Sequence, residues 1–353
     1  MRTGKAGGFL FEADIIGKIR RALASPAASA APWLRLGLGD DAAILRPCLR
    51  QVAPRRPKHR ANREWVLSCD AFLEGVHFRL DVHPARDIGY KALARAVSDL
   101  AAMGGRPRFF LLNLALPASR TGEWLDDFLA GVREASRKLD MSVVGGDTSR
   151  FPQLAINITV GGEVPAGQAL TRSRARPGDL IFVTGTLGAA QLGLELHLRG
   201  LDRRSLRLAL AAHLHPSIHL NLGRWLSGDK PSGPKIASAA IDTSDGLSTD
   251  LAHICDSSGV GAQILAGRLP MVRVPKECKR LRLDPQQLAL HGGEDYQLLF
   301  TVRRGMAYQI PSQYQGVRIT HIGEITRGAG IEIVQENGRR ERLSPQGWDP
   351  FRK

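Results

Sequence analysis

Six aspartates lie in short signatures rich in glycine or serine, and these signatures are spread over most of the chain. They are Asp41, Asp70, Asp99, Asp147, Asp242 and Asp245. Four of the six close or follow an apolar, β-branched run, as in Trp65-Val66-Leu67-Ser68-Cys69-Asp70. Carboxylates at strand ends, beside residues that let the backbone bend, supply the oxygen ligands of Mg²⁺, which usually completes its shell with substrate phosphates. The pattern predicts a fold that gathers distant strand ends around metal–phosphate chemistry.

Each aspartate taken alone has a simpler interpretation, as a helix cap or a turn residue. Six unpaired carboxylates in one cleft would repel each other and raise each other's pKa. Several divalent cations would remove that cost, so the combined pattern favours a multi-metal site. The P-loop motif G-x-x-x-x-G-K-[ST] is absent, and Gly37-Leu38-Gly39 runs into Asp40-Asp41 rather than into a dinucleotide fingerprint. A phosphate-transferring chain of this kind must hold phosphates through metal ions and scattered polar groups.

The length of 353 residues is too great for one ordinary core and predicts two domains. Strand and helix patterns interleave, which predicts an α/β or α+β class. A connection from Pro165 to Pro177 places the boundary, giving an N-terminal domain of 1–165 and a C-terminal domain of 166–353. The predicted strands are 42–45, 65–70, 109–116, 142–144, 155–163, 178–185 and 236–241, and the predicted helices are 12–24, 87–103, 124–139, 189–199 and 247–257. Asp87 is the expected N-cap of its helix, with Asp99 in the last turns.

The net charge of +15 invites a nucleic-acid partner, because basic surfaces attract phosphate backbones. Much of that excess lies in one Pro-rich stretch, 46–63, which is typical of an exposed and solvated loop. No RNA- or DNA-binding module accompanies the stretch, so the sequence does not favour nucleic acid. A basic nucleic-acid-binding protein is the alternative from another class, and it predicts tight, salt-sensitive binding that needs residues 50–63.

The remaining composition indicates a protein of the cytoplasm. The four cysteines are Cys48, Cys69, Cys255 and Cys278, which are far apart and show neither zinc-site nor disulfide spacing. His213, His215 and His219 lack the spacing of a zinc site, so we predict none there. No apolar run reaches the length of about 18 residues that spans a membrane, and we expect no membrane partner.

Several motifs occur in an order that resembles a known family. They are Gly39-Asp40-Asp41-Ala42-Ala43, Ser68-Cys69-Asp70 with His77-Phe78, Ser98-Asp99-Leu100, Gly145-Gly146-Asp147-Thr148, Leu170-Thr171-Arg172-Ser173, Asp242-Thr243-Ser244-Asp245-Gly246 and Gly292-Gly293-Glu294-Asp295-Tyr296. Together they resemble the thiamine-monophosphate kinases, within the superfamily of aminoimidazole ribonucleotide synthetases. The resemblance covers residues 8 to 351, nearly the whole chain.

The resemblance implies ATP-dependent phosphorylation of thiamine phosphate to thiamine diphosphate by direct in-line transfer, assisted by several Mg²⁺ ions. It implies the two-domain fold of that superfamily, with mixed sheets flanked by helices. The N-terminal domain would bind metal and ATP and pair two copies into a homodimer. The C-terminal domain would complete a cleft between the domains.

The resemblance also assigns roles to residues, carried over motif by motif. Mg²⁺ ligands would be Asp41, Ser68, Asp70, Asp99, Asp147, Asp242 and Asp245. ATP contacts would be Gly146, Asp147, Arg172 and Ser244, of which Asp147 and Arg172 would be catalytic. Thiamine phosphate contacts would be His77, Glu294 and Trp348. Cys69 stands where the family often has threonine, and a soft thiol is a poor Mg²⁺ ligand, so we leave it out of the site.

One enzyme alternative stays open at this point. Another ATP-using member of the superfamily would act on a different small acceptor, such as a ribonucleotide amide or selenide. His77 and the Gly-Gly-Glu-Asp-Tyr motif favour thiamine phosphate as the acceptor.

Overall fold

The computed structural model describes residues 34–36, 40–46, 63–201, 207–228 and 234–351, without the side chains of 277–279. The predicted helix at 12–24 and most of the basic stretch 46–63 lie outside these ranges. Within them the chain forms two β-sheets with helices packed against them. The predicted mixture of sheets and helices is confirmed.

The first sheet contains the strands of the N-terminal half. These are β1 (Leu34–Leu36), β2 (Ala43–Leu45), β3 (Arg63–Leu73), β4 (Arg106–Leu116), β5 (Ser142–Arg150) and β6 (Ala155–Pro165). Their order is β1-β2-β3-β6-β4-β5, with β4 and β5 parallel and the other neighbours antiparallel. In β6, Ile156, Ile158 and Val160 are buried at every second position, as expected where one face of a strand packs on helices.

Two helices belong to this half, α1 (Ala85–Ala102) and α2 (Glu123–Lys138). They cross at two glycines: a Cβ on Gly89 would lie 2.1 Å from the Phe128 carbonyl oxygen, and one on Gly131 would lie 1.8 Å from the Arg86 carbonyl oxygen. No side chain fits between these backbones. The close crossing therefore fixes where α1 lies.

The predicted N-cap of α1 is wrong. The helix begins at Ala85, and Pro84 is its N-cap, with an extended backbone and no side-chain cap bond. The proline ring fixes φ near the value observed here and starts the helix before Asp87 is reached. Asp87 instead lies in the first turn, where His215 Nε2 approaches its carboxylate to 2.6 Å.

The second sheet contains the strands of the C-terminal half. These are β7 (Leu180–Thr184), β8 (Ala237–Asp242), β9 (Gly261–Leu265), β10 (Leu298–Val302), β11 (Gln313–Tyr314), β12 (Val317–Thr326), β13 (Gly330–Val334) and β14 (Arg340–Leu343). Their order is β14-β13-β9-β12-β7-β10-β8, with β11 paired to β12 alone. Only the β9–β13 pair is parallel among these described strands.

Five helices accompany the described strands of this second sheet. They are α3 (Ala189–Leu198), α4 (Arg207–Leu214), α5 (Leu220–Ser227), α6 (Leu247–Ser258) and α7 (Pro285–His291). The predicted strands at 178–185 and 236–241 and the predicted helices at 189–199 and 247–257 are confirmed to within two residues at each end.

Helix α1 joins the two halves. Its last residues, Ala101 and Ala102, share a hydrophobic cluster with Leu222 and Leu226 of α5 and with Phe300 of β10. Small side chains at the end of α1 allow α5 to approach closely. The helix that carries Asp99 is therefore buried between the N-terminal sheet and the C-terminal half. None of the helices in the described ranges is both long and apolar enough to cross a membrane.

Candidate active site

A cleft of about 1080 Å³ collects most of the predicted site residues from both halves of the chain. Its lining includes Asp41, Ser68, Asp70, His77, Asp99, Arg172, Asp242, Ser244, Asp245, Glu294 and Trp348. These residues are scattered along the sequence and meet only through the packing of the two sheets around α1.

Three carboxylates form the centre of the cleft. Asp41 precedes β2, Asp99 lies near the end of α1, and Asp242 is the last residue of β8, yet their oxygens lie within 4.8 Å of one another. Asp242 is only 2% exposed. Burial, followed by the charge of Asp41, raises the pKa of Asp242 to about 7. Burial and the charge of Asp242 also raise the pKa of Asp99 well above its usual range.

The cluster has the composition of a divalent-cation site. Hard carboxylate oxygens are the ligands that Mg²⁺ prefers, and a cation would remove the repulsion that raises these pKa values. Asp41 Oδ2 is buried and has no hydrogen-bond partner among the residues described. An orphaned buried carboxylate oxygen beside two other carboxylates fits a bound metal ion.

Arg172 lies in a short 3₁₀ turn, Arg172–Arg174, and closes one side of the carboxylate cluster. Its Nε donates to Asp41 Oδ1 at 3.2 Å, and its terminal nitrogen contacts the same oxygen. Its backbone N–H donates to Asp40 Oδ2 at 3.1 Å, and its carbonyl accepts from Ser258 Oγ at 2.8 Å. The guanidinium is thus held against the cluster by its side chain and by its backbone.

Strand β3 presents two predicted residues to α1. Ser68 and Asp70 are two residues apart, so their side chains lie on the same face of the strand. Ser68 Oγ donates to Asp99 Oδ2, and Asp70 Oδ2 lies 3.4 Å from Arg95 Nε. Arg95 was not among the residues predicted for the site. Its spacing of four residues before Asp99, on one helix face, is the signal that could have found it.

Another buried carboxylate lies behind the loop that follows β8. Asp250, in the first turn of α6, accepts from the Gly246 N–H at 3.0 Å, while its Oδ1 has no partner within the described part of the chain. Burial, followed by the charge of Asp245, raises the pKa of Asp250 well above its usual range. Sequence reasoning missed Asp250 because a polar residue in the first turn of a helix is ordinary.

His77 and Trp348 form a second wall of the cleft. Their ring centroids are 6.5 Å apart, and Trp348 is 48% exposed. The Leu73 N–H donates to His77 Nδ1 at 3.0 Å, and the Trp348 N–H donates to the Asp245 carbonyl at 2.9 Å. Burial lowers the pKa of His77 to about 4, so the ring is neutral at pH 7. The wall therefore offers two aromatic rings to a ligand.

Glu294 reaches the cleft from a strained backbone. Its φ is +65°, which is uncommon for a residue other than glycine and recurs at functional sites. Its N–H donates to the Ser244 carbonyl at 2.7 Å, and its carboxylate lies 2.7 Å from Lys91 Nζ. The next residue, Asp295, accepts from the N–H groups of Gly188 and Ala190 at the start of α3. The Gly-Gly-Glu-Asp-Tyr motif thus caps one helix and holds one carboxylate in the cleft.

Gly146 and Asp147 do not lie among the residues that line the cleft. They belong to β5, the edge strand, in which all nine residues are exposed. A Cβ on Gly146 would lie 1.9 Å from the Leu112 carbonyl oxygen, and its φ is +152°. The close approach to β4 explains the glycine. The roles of Gly146 and Asp147 in binding ATP and metal stay predictions.

Comparison with known proteins gives the family. Residues 39–164 match the model described as AIR synthase related protein, N-terminal domain. The thiamine-monophosphate kinase of Escherichia coli K12 is 37% identical over 327 residues, which cover 90% of this chain and 92% of that protein. The thiamine-monophosphate kinase of Bacillus subtilis 168 is 35% identical over 325 residues, covering 90% of this chain and 94% of that protein.

Solved structures agree with the sequence relatives. The structure of AaThiL complexed with AMPPCP and TMP is 31% identical, covers 96% of this chain and 97% of its own, and superposes with a TM-score of 0.79. The thiamine-monophosphate kinase of Stenotrophomonas maltophilia K279a is 36% identical, with coverages of 91% and 94% and a TM-score of 0.68. With the matched fold, and with relatives similar along nine-tenths of its length, this chain belongs to the family of thiamine-monophosphate kinases.

Proposed function

We propose that this protein transfers the γ-phosphoryl group of ATP to thiamine phosphate, forming thiamine diphosphate, with several Mg²⁺ ions in the cleft. The observation that carries the proposal is the cluster of Asp41, Asp99 and Asp242 in the same cleft as the acceptor-side residues His77 and Glu294. The family supports the reaction, and the relative solved with AMPPCP and TMP supports the pair of ligands.

The carboxylate cluster would hold the metal ions. Asp41, Asp99 and Asp242 would be ligands at its centre, with Asp70 and Asp245 close by in the lining of the cleft. Bound Mg²⁺ offsets negative charge on phosphate oxygens and so stabilises the transition state of phosphoryl transfer.

The remaining residues would position the two substrates and neutralise the negative charge of the transferred phosphoryl group. Phosphoryl transfer leaves little covalent work for the protein, so catalysis depends on alignment and on charge. Arg172, fixed against Asp41, would offset charge on the transferred phosphoryl group. The acceptor oxygen of thiamine phosphate is already anionic, so no strong base is required. The flat, cationic thiazolium would favour the Trp348 ring and the Glu294 carboxylate as neighbours.

The deciding experiment is an assay of the purified protein with ATP, Mg²⁺ and thiamine phosphate. We expect thiamine diphosphate and ADP to form together, and we expect the reaction to stop when EDTA removes the metal. The same assay with a ribonucleotide amide or with selenide tests the alternative acceptors. Turnover with one of those acceptors and none with thiamine phosphate would sink the proposed reaction.

The proposal includes a homodimer that pairs through β5. This strand is an edge of its sheet and is exposed along its whole length, with Val143 at 61% and Val144 at 60%. An exposed edge strand presents unpaired N–H and C=O groups that readily take up another strand. Pairing of two copies would cover both valines.

Replacement of Val144 by arginine tests the dimer, because a charge on the strand would oppose pairing. We expect the wild type to have twice the 38.4 kDa mass of one chain in light scattering, and the variant to have the mass of a single chain. Leu208→Arg is the control, since Leu208 is 88% exposed on α4, away from β5. A wild-type protein with the mass of a single chain would contradict the dimer.

A further inference from the structure

A row of polar side chains runs from the half-buried Glu294 in the cleft into the interior. Glu294 Oε2 lies 2.7 Å from Lys91 Nζ, and Lys91 Nζ lies 3.2 Å from His213 Nδ1. His213 Nε2 lies 3.0 Å from His83 Nε2. Lys91 is 2% exposed, and both histidines are buried. The residues come from α1, α4 and two loops, so the row exists only in the folded chain.

A buried lysine without a partner is costly, because desolvation disfavours its charged form. Burial accordingly lowers the pKa of Lys91, and the charge of Glu294 opposes that shift. Burial alone would raise the pKa of Glu294, but Lys91 and then His213 outweigh it and hold that pKa below its usual range. The contact between Lys91 and Glu294 thus favours the charged form of each partner against the effect of burial.

His213 supports both members of the pair. Its Nδ1 lies 3.2 Å from Lys91 Nζ and 3.4 Å from Glu294 Oε2. A neutral imidazole can accept a hydrogen bond from the lysine or donate one to the carboxylate, according to its tautomer. Either arrangement fixes the same oxygen, Oε2, on the buried side of Glu294.

The backbone of Glu294 is fixed as well. Its N–H donates to the Ser244 carbonyl at 2.7 Å, at a left-handed φ of +65°. With the backbone held and Oε2 occupied by Lys91 and His213, Oε1 is the oxygen that a ligand in the cleft can use. Glu294 lines the cleft together with His77 and Trp348.

We propose that Lys91 is a positioning residue for the acceptor: it holds Glu294 ionised and oriented, so that Oε1 meets the cationic part of thiamine phosphate. Lys91 itself does not touch the acceptor in this arrangement. The inference rests on the proposed function, and it concerns the affinity for the acceptor rather than that for ATP.

The test is Lys91→Met, which keeps the length of the side chain and removes its charge. We expect the KM for thiamine phosphate to rise at least ~10-fold, which corresponds to about 1.4 kcal/mol of binding free energy. The KM for ATP should stay within about twofold of the wild-type value, because Lys91 does not act on the ATP side of the cleft. A residue that served only stability would alter both constants together.

Glu294→Gln and the double variant, which carries both Lys91→Met and Glu294→Gln, complete a double-mutant cycle. If Lys91 acts through Glu294, the change Lys91→Met should add little to the KM for thiamine phosphate once Glu294 is already glutamine. The double variant buries no unpaired charge, so it keeps the test valid if Lys91→Met alone does not fold. Lys138→Met is the control. Lys138 Nζ donates to the hydroxyl of Tyr90, the residue before Lys91, at 2.8 Å, and neither Lys138 nor Tyr90 lines the cleft.

Binding of thiamine phosphate is also measured by calorimetry without ATP. Wild-type affinity in Lys91→Met would overturn the inference and leave the proposed reaction standing. Equal rises in both KM values, or multiplicative effects in the cycle, would also overturn it. A wild-type protein that binds thiamine phosphate without turning it over would overturn the proposed reaction, and weaker binding by Lys91→Met would still support the positioning role.

Discussion

Replacement of Asp242 by asparagine is expected to lower kcat about 10³-fold, because metal-assisted charge stabilisation contributes several kcal/mol and each 1.36 kcal/mol is tenfold in rate. Asp242 is the most deeply buried residue of the three-carboxylate cluster. An amide keeps the shape of the side chain but removes the charge that attracts the ion. Steady-state kinetics at saturating Mg²⁺, ATP and thiamine phosphate measure the loss.

The same substitution should stabilise the metal-free protein. Asp41 and Asp99 raise the energy of a third buried charge, so its removal relieves repulsion at pH 8. In EDTA the variant should have a higher melting temperature than the wild type. Addition of Mg²⁺ should raise the melting temperature of the wild type more than that of the variant. Asp256→Asn, an exposed position on α6, is the matched control. Near-normal turnover, or equal responses to Mg²⁺, would contradict a metal role for Asp242.

Replacement of Gly131 by alanine is expected to destabilise the fold by roughly 3 kcal/mol, the upper part of the range for overpacking. In an exposed helix interior the same change would stabilise by about 1 kcal/mol, so a loss is attributable to the crossing of α1 and α2. The new methyl would meet the Arg86 carbonyl oxygen, where a Cβ would lie at 1.8 Å. Urea unfolding measures the free energy of unfolding.

The control for this helix crossing is Gly305→Ala, where an added Cβ meets nothing within 4 Å and φ is not in the left-handed region. Because α1 carries Asp99, any displacement of the helix should also lower turnover. A Gly131→Ala protein as stable as the wild type would show that the two helices can separate without cost.

Much of the site could be predicted because its residues sit where local patterns end. Strand β8 ends at Asp242, and the long apolar pattern of α1 contains Asp99, so periodicity placed both carboxylates at element ends. Ordered motifs added Arg172, His77 and Glu294, which also line the cleft. Most predicted strand and helix bounds agree with the structure to within a few residues, but β5 runs on to Arg150, well past its predicted end at Val144.

The rest depends on contacts that no local pattern encodes. Lys91 and Glu294 are 203 residues apart, and a lysine within an apolar helix carries no sign of its partner. The pairing of His213 with Lys91 is equally remote in sequence. The predicted N-cap of α1 was wrong. Asp87 is a residue type preferred at N-caps, but the rigid backbone of Pro84 decides where the helix begins. The boundary between residues 165 and 166 stays a prediction.

The spacing of α1 has a practical consequence for redesign. Lys91, Arg95 and Asp99 follow one another at intervals of four residues, so a single rigid element serves Glu294, Asp70 and the carboxylate cluster. Redesign toward a new acceptor that shifts α1 as a whole would therefore disturb the metal end together with the acceptor end. Libraries built around Trp348, whose ring is half-exposed at the wall of the cleft, would leave this helix unchanged.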